Sequence, residues 1–157
     1  MAKLTGISDN LNAFLDMIAF SEIGQALLAK SDDGYNVLAG GKLFTSYADH
    51  PHVKVDIPRL NIYSTAAGRY QLIWNTWQSC KCSLDLSDYS PICQDLSAVL
   101  LVRKRGALSH IESGDISKAI TLCSKEWGSF PGSPYGQGEN KMSALLYAYK
   151  RAGGKVA

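Results

Sequence analysis

The 157-residue sequence contains no long uninterrupted apolar run. A helix that spans a bilayer needs about 20 consecutive apolar residues. The first eight residues hold a single lysine and no extended apolar stretch before Asp9 and Asn10. We therefore expect neither membrane insertion nor a secretory signal, and we predict synthesis in the cytoplasm.

Cysteine and histidine are too few and too poorly spaced to predict a metal site. The four cysteines are Cys80, Cys82, Cys93 and Cys123. They lack the C-x-x-C pairs typical of zinc sites. His50 and His52 form a His-x-His pair, but no carboxylate or thiol completes a ligand set at helical or hairpin spacing. We expect free thiols, as in a reducing compartment, and no metal or other cofactor.

The sequence also lacks a strong excess of one charge. The formal net charge is +2 and the isoelectric point is near 8.3, which is too mild a bias to indicate nucleic acid. The run from Arg103 to Arg105 is basic, but three cations at the end of a helix also suit its dipole. A nucleic-acid binder is therefore the weakest alternative. The length favours a single domain over residues 1–157, which we expect to be a monomer.

The clearest pattern in the sequence is an apolar stripe near its start. Leu11, Phe14, Leu15 and Ile18 recur at steps of three and four residues, which predicts a helix packed on a core. Glu22 is the next member of that stripe. A carboxyl group in an apolar environment resists ionisation, so Glu22 is a candidate proton donor near neutral pH. In the simpler alternative the helix ends near residue 21 and Glu22 is exposed, as most glutamates are.

A short hairpin is predicted to follow this helix. Residues 35–39 and 42–47 read as two strands joined by the two-residue turn Gly40-Gly41. Residues 53–63, which Pro58 interrupts, are expected to be irregular or to form a third short strand.

The rest of the sequence predicts helices. One opens at residues 64–71, with Ser64 or Thr65 as its N-cap. A second begins at Pro91 and stops at Gly106. Three more cover residues 107–113, the stripe that starts at Ile116, and residues 142–149, whereas glycine and proline make residues 130–138 a loop. The predicted class is α+β, with a hairpin lobe facing a helical lobe and Glu22 at the groove between them.

The residue types near this groove suit the cleavage of a glycoside. Such enzymes need a carboxylic acid to protonate the departing oxygen and commonly hold it in an apolar pocket. Sugar rings also pack on aromatic faces and bond to amide side chains. The candidates of these two kinds are Tyr70, Trp77, Tyr135, Gln71, Gln78 and Gln137. Core packing is the simpler role for Tyr70 and Trp77, whereas a loop position favours function for Tyr135.

Five segments, in the same order and over nearly the whole chain, resemble the endolysins of the phage lambda type. They are FLDMIAFSE (14–22), GGKLFTSYADHP (40–51), STAAGRYQL (64–72), RGAL (105–108) and PG with YGQ (131–137). The resemblance implies a lysozyme-like α+β fold. It also implies a lytic transglycosylase that cuts the MurNAc–GlcNAc linkage of peptidoglycan without water and leaves a 1,6-anhydro end.

By the same resemblance Glu22 matches the family's catalytic glutamate. It would act as an acid toward the glycosidic oxygen and then as a base toward the 6-hydroxyl of the same MurNAc. The positions that match substrate-binding motifs are Ser21, Asp49, Arg69, Tyr70, Gln71, Tyr135 and Gln137. The resemblance further implies that a holin permeabilises the host membrane, after which the enzyme reaches the cell wall in the periplasm.

One departure from the family pattern bears on the mechanism. Asn36 stands where the family is expected to have an aspartate. A hydrolase needs a second carboxylate, about 5–5.5 Å from the acid if it retains configuration and about 6.5–9.5 Å if it inverts. Asp32, Asp33 and Asp49 are candidates, although aspartate beside glycine or proline is commonly a turn former, which is the favoured interpretation here. With a single acid, the attached 6-hydroxyl is favoured as nucleophile by its proximity. A hydrolytic muramidase and a non-catalytic glycan-binding module remain the alternatives.

Overall fold

The computed structural model describes residues 1–136 and 138–157. Within them it has seven α-helices and a two-stranded antiparallel sheet. The helices are α1 (Asp9–Ile23), α2 (Gln25–Lys30), α3 (Trp74–Leu84), α4 (Pro91–Lys104), α5 (Leu108–Ser113), α6 (Ile116–Cys123) and α7 (Met142–Arg151). The strands are β1 (Val55–Ile57) and β2 (Ile62–Ser64). The predicted α+β class is confirmed.

Helix α1 is the central element of the helical lobe. The Ser8 side chain caps it by accepting a hydrogen bond from the amide of Leu11. Phe14, Leu15 and Ile18 are fully buried, and the helix packs against α5 and α7. The predicted stripe is confirmed. The helix continues past Glu22 to Ile23, so the alternative in which it ends near residue 21 is wrong.

The sheet lies later in the chain than predicted. Residues 35–47 contribute only isolated bridges, one between Val37 and Leu43 and one between Leu38 and Ala67. The backbone near Val37 thus shares its hydrogen bonds between two different segments. The amide of Leu38 donates to the carbonyl of Lys42 at 2.7 Å, whereas the next amide donates to the carbonyl of residue 66 at 2.8 Å. The sheet is instead formed within residues 55–64, where β1 pairs with β2 on either side of a 3-10 turn that starts at Pro58.

The second helix also begins later than predicted, at Trp74 instead of near residue 64. Gly68 and Gln71 have φ values of +83° and +50°, which a right-handed helix cannot contain. A Cβ atom on residue 68 would collide with the side chain of Gln94. The predicted N-cap is also wrong, because the N-cap position is Ile73. The hydroxyl oxygen of Thr65 nevertheless accepts a hydrogen bond from the amide of Trp74 at 3.0 Å, across nine residues.

The later helices follow the sequence signals closely. Helix α4 begins at Pro91 and ends at Lys104, before Gly106. Helices α5, α6 and α7 lie where the apolar periodicity placed them. In the part of the chain that the structure describes, none of the helices combines the length and the apolar content needed to cross a bilayer.

A buried aspartate on α4 joins three separate segments of the chain. The Asp95 side chain is 0 % exposed. It accepts hydrogen bonds from the hydroxyls of Tyr35 and Tyr70 at 2.8 and 2.6 Å. It also accepts bonds from the amides of Lys3 and Leu4 at 2.7 and 2.8 Å. Four donors therefore converge on one carboxylate in the interior.

Replacing Asp95 with asparagine is expected to lower the free energy of unfolding by about 3 kcal/mol or more. An amide would turn a donor toward these donors, and each hydrogen bond to a charged group contributes about 1.5–3 kcal/mol. Urea denaturation monitored by circular dichroism measures the loss. The matched control is Asp56→Asn on the exposed position of β1, which should change stability by less than about 0.5 kcal/mol. Equal stabilities for the two variants would contradict the structural role of Asp95.

Candidate active site

A cleft of about 500 Å³ opens between the β1–β2 hairpin and the helical lobe. Its walls come from the end of α1, the hairpin and the segment that precedes α7. The polar side chains that line it include Ser21, Glu22, Gln71, Glu126, Ser129, Glu139 and Asn140. The predicted groove is therefore present, and Glu22 stands in its wall.

Glu22 lies in the last turn of α1, half-buried at the cleft. Desolvation by the surrounding protein raises the pKa of this carboxyl group from 4.5 to about 7, although hydrogen bonds from Ser129 act in the opposite direction. The hydroxyl of Ser129 donates to Oε1 at 3.0 Å. A carboxyl group with a pKa near the working pH can both give up and take back a proton, which is what general acid–base chemistry requires.

Three polar side chains stand in a row beside Glu22. Oγ of Ser129 is 2.7 Å from Oγ of Ser21. Nδ2 of Asn140 donates to the same Oγ of Ser21 at 2.9 Å and to the backbone carbonyl of Ser21 at 3.2 Å. Ser21 was predicted as a site residue, whereas sequence reasoning missed Ser129 and Asn140. The nearest signal for them was the glycine- and proline-rich loop that their positions flank.

Gln71 is a second predicted residue that the structure places in the cleft. Its Nε2 group donates to the backbone carbonyls of Val37 and Gly68 at 3.1 and 2.8 Å. These two bonds fix the orientation of the amide. Its oxygen Oε1 has no hydrogen-bond partner among the described residues, so it is available to accept one from a ligand.

Tyr135 lies beside the cleft and not in its wall. Its side chain is 54 % exposed, and its hydroxyl donates to the backbone carbonyl of Lys125 at 2.6 Å. It lines a smaller pocket of about 180 Å³ that shares Gln71, Glu126 and Trp127 with the cleft. The remaining predicted loop residue, Gln137, lies outside the described residues.

Arg69 and Tyr70 are placed beneath the surface, contrary to the expectation that they contact substrate. Arg69 is 1 % exposed, and its guanidinium group bonds to Asp16 at 2.6 Å and to Asp33 at 2.9 Å. Tyr70 is fully buried and donates its hydroxyl to Asp95. Their polar groups are thus used within the fold, where they support the segment that carries Gln71.

Asp49 is also used within the fold. Its carboxylate accepts hydrogen bonds from the indole of Trp77 at 2.9 Å and from the amine of Lys81 at 3.1 Å, which joins its loop to α3. Burial would raise the pKa of Asp49, but these bonds and that from the amide of His50 outweigh burial and lower it. Asp49 is not among the described residues that line the cleft.

Neither Asp33 nor Asp49, which were predicted as possible second carboxylates, is among the described residues that line the cleft with Glu22. Asp33 is held by Arg69 and by the N-terminal amine. Burial alone would raise the pKa of Asp33, but hydrogen bonds from these two cations outweigh it and lower the pKa. The described carboxylates that share the cleft with Glu22 are Glu126 and Glu139. Glu126 accepts a hydrogen bond from Nε of Arg105 at 2.8 Å, whereas Glu139 is exposed.

The basic run and the cysteines have ordinary places in the fold. Arg103 and Lys104 are exposed near the end of α4, but Arg105 pairs with Glu126. All four cysteines are free, as predicted, and Cys80 and Cys123 are buried. Among residues 1–136 and 138–157, no three histidine, cysteine or acidic side chains are grouped closely enough to hold a metal ion.

Comparison with known proteins agrees with this arrangement. The family model described as Endolysin matches residues 12–156. The endolysin of Escherichia phage lambda is 45 % identical over 152 residues, which cover 96 % of this chain and 95 % of that protein. The endolysin of Escherichia phage P2 is 40 % identical, with coverages of 94 % and 95 %. The structure of bacteriophage lambda lysozyme complexed with a chitohexasaccharide has a TM-score of 0.92 at 43 % identity, over 98 % of this chain and 100 % of that one.

The raised pKa of Glu22 should make the effect of Glu22→Gln on stability depend on pH. Between pH 4.5 and about 7 the folded state binds more protons than the unfolded state, so stability falls as the pH rises. Because glutamine cannot ionise, the free energy of unfolding of the variant does not fall in this way. Relative to the native protein, the variant should gain about 3 kcal/mol between pH 4.5 and pH 8, at about 1.4 kcal/mol per pKa unit.

Urea denaturation at pH 4.5, 6 and 8 measures this gain, with Glu139→Gln as the exposed control in the same cleft. A stability difference between Glu22→Gln and the native protein that stays constant over this range would show that the carboxyl group titrates normally.

Proposed function

The chain belongs to the endolysin family, and from that membership we propose that it is a lytic transglycosylase of bacterial peptidoglycan. Endolysins are enzymes that act on the cell wall, and the proposal concerns the bond and the mechanism. The bond is the β-1,4 linkage between MurNAc and GlcNAc, and the product is a 1,6-anhydro-MurNAc end. The observation that carries the proposal is the Glu22 carboxyl group in the cleft, with a pKa of about 7.

The proposed reaction has two proton transfers through Glu22. The protonated carboxyl group first gives its proton to the glycosidic oxygen while the bond from that oxygen to C1 of MurNAc breaks. The GlcNAc side leaves as an alcohol, and positive charge develops at C1. The 6-hydroxyl oxygen of the same MurNAc then bonds to C1, and its proton passes to the Glu22 carboxylate. No water is consumed, and the acid is regenerated.

The lack of an assigned second carboxylate favours the internal nucleophile. A hydrolase must orient a water molecule or form a covalent intermediate with a second carboxylate. Asp33 and Asp49 are engaged in ion pairs elsewhere in the fold, and Glu126 is paired with Arg105. A hydroxyl group already attached to the reacting sugar needs no such group, because it is held close to C1.

The proposed substrate contacts are those that the cleft can offer. Gln71 presents a fixed amide whose oxygen accepts no hydrogen bond from the described residues, and Ser21 lies beside the acid. Tyr135 has an exposed face next to the adjoining pocket, and Gln137 is retained from the family motif. The bound chitohexasaccharide in lambda lysozyme supports a glycan strand as the ligand. We assign Asp49, Arg69 and Tyr70 to support of the cleft.

Family membership supports the proposed place of action. The enzyme would be made in the host cytoplasm as a single-domain monomer and would reach the wall after a holin permeabilises the membrane. Its partner there is the glycan strand of peptidoglycan, with no role for nucleic acid.

Digestion of purified peptidoglycan should release muropeptides whose masses lack one water per cut. Their terminal MurNAc should be non-reducing, because the ring closes on its own 6-hydroxyl. Mass spectrometry before and after borohydride reduction distinguishes the two products. Glu22→Gln should lower the rate by about 10²–10⁴-fold, the usual contribution of positioned acid–base catalysis. Reducing ends that take up hydrogen would replace the proposal with a hydrolytic muramidase, and binding without cleavage would replace it with a glycan-binding module.

Glu139 offers a direct test of whether the cleft contains a second catalytic carboxylate. Under transglycosylation Glu139→Gln should retain activity to within about tenfold, because the 6-hydroxyl needs no carboxylate other than Glu22. Turnover of wall suspensions measures the effect, with Glu22→Gln assayed in parallel. A loss for Glu139→Gln as large as that for Glu22→Gln would favour hydrolysis with Glu139 as the second group.

A further inference from the structure

We propose that Asn140, Ser21 and Ser129 form a hydrogen-bond chain with one direction, which fixes Oε1 of Glu22 as an acceptor and leaves Oε2 to transfer the proton. The inference deepens the proposed function and rests on Glu22 as the general acid and base. The three residues would be positioning residues, because they act on the substrate only through Glu22.

The direction of the chain is set at its far end by Asn140. Nδ2 of this residue lies 3.2 Å from the backbone carbonyl of Ser21 and 2.9 Å from its Oγ. A carbonyl oxygen can only accept, so the amide group must turn its nitrogen, and not its oxygen, toward Ser21. The amide nitrogen can only donate. The hydroxyl oxygen of Ser21 is therefore an acceptor from Asn140, and its own proton must point elsewhere.

The bond between Ser129 and Glu22, at the other end of the hydrogen-bond chain, gives the same donor-to-acceptor direction. An ionised carboxylate only accepts, so Ser129 gives its single hydroxyl proton to Oε1 of Glu22 across 3.0 Å. The 2.7 Å contact between the hydroxyls of Ser129 and Ser21 then has one consistent donor, which is Ser21. Every proton along the chain points toward Glu22.

This direction makes the two oxygens of Glu22 unequal. A proton on Oε1 would face the proton of Ser129, and relief would require both serine hydroxyls to reverse. The proton of Ser21 would then have no acceptor within the chain, because Nδ2 of Asn140 only donates. The acidic proton is therefore held on Oε2. The same oxygen would receive the proton of the 6-hydroxyl in the second step, so one atom serves both transfers.

Other charged groups also line the cleft. Those among the described residues are Arg59, Glu126 and Glu139, and Glu126 is paired with Arg105. Desolvation raises the pKa of Glu22, and the side-chain and backbone hydrogen bonds from Ser129 lower it. The chain is thus the polar contact whose removal should change the titration of Glu22 most directly.

The test measures the Glu22 pKa by carbon-13 NMR of glutamate-labelled full-length protein without substrate. Ser129→Ala should raise that pKa by about one unit, because the ionised form loses a donor, at about 1.5–3 kcal/mol per hydrogen bond to a charge before water replaces part of it. Ser21→Ala and Asn140→Ala should raise it by smaller amounts, and Ser129→Thr should restore it. The matched control is Ser64→Ala, which removes a hydroxyl from the same cleft that accepts a hydrogen bond from the amide of Ala66.

A double variant separates a directed chain from general loosening of the site. Asn140→Ala acts on Glu22 only through the two serines, so it should add no further shift in the Ser129→Ala background. The proposed hydrogen-bond chain would be contradicted if Ser129→Ala left the pKa of Glu22 unchanged. It would also be contradicted if Asn140→Ala shifted that pKa as much in the Ser129→Ala background as it does alone.

The pH dependence of kcat/KM keeps the chain distinguishable from the proposed function. Its alkaline limb reports loss of the acidic proton of the free enzyme and should move upward with the NMR pKa in each variant. A limb that stays in place while the NMR pKa moves would refute Glu22 as the acid and leave the chain intact as a structural feature. If the serine and asparagine variants left the pKa of Glu22 unchanged while Glu22→Gln was inactive, the hydrogen-bond chain would be refuted and the proposed function would stand.

Discussion

Keeping the Glu22 carboxyl group out of water is unfavourable whenever it is ionised, and the fold must hold it there against that cost. Helix α1 does so through packing on its apolar face and through Asp16, which bonds to the buried Arg69 at 2.6 Å. The same helix thus carries an ion pair in its middle and a desolvated carboxyl group in its last turn. Such a trade of stability for function is common at active sites. Because α1 cannot move without disturbing the core, the position of the acid is fixed by the fold.

The motif around Arg69 shows how one short segment supports the site. Gly68 leaves space for the side chain of Gln94 and lets the chain turn, after which Arg69 and Tyr70 enter the interior. The following residue, Gln71, is held in the left-handed region and lines the cleft. Family matching assigned all three side chains to the groove. In the structure Arg69 and Tyr70 are buried and support the segment, whereas Gln71 lines the cleft. The ion pair of Arg69 with Asp16 and the hydrogen bond from Tyr70 to Asp95 show why these two positions need a cation and a phenol.

Local sequence patterns were sufficient for some parts of the molecule and not for others. The stripe through Phe14 and Ile18 located α1 and Glu22 because a helix on a core imposes its period on the sequence. The Pro91 start of α4 was equally clear. The helix expected near residue 64 was wrong because left-handed turns at Gly68 and Gln71 interrupt an otherwise helical pattern. The hairpin was misplaced because the Gly40-Gly41 turn forms, but its flanking residues pair partly with the 66–68 segment.

The partners of Glu22 could not be found from local pattern at all. Ser129 is 107 positions away in the sequence, and Asn140 lies 119 positions from Ser21. Neither residue belongs to a periodic stripe or a capping motif, so only the folded chain brings them to the acid. The ion pairs of Asp33 and Asp49 could not be predicted from the sequence either. From the sequence, both residues could equally be turn formers or the second catalytic carboxylate of a hydrolase. Tertiary contacts therefore decide which of these carboxylates are engaged in ion pairs.

A carbon-13 NMR titration of the Glu22 carboxyl group in the native protein tests the central claim most directly. Desolvation at the cleft predicts a midpoint near 7, far above that of an exposed glutamate. A midpoint near 4.5, the ordinary value for glutamate, would show a hydrated carboxylate and would contradict its role as the proton donor.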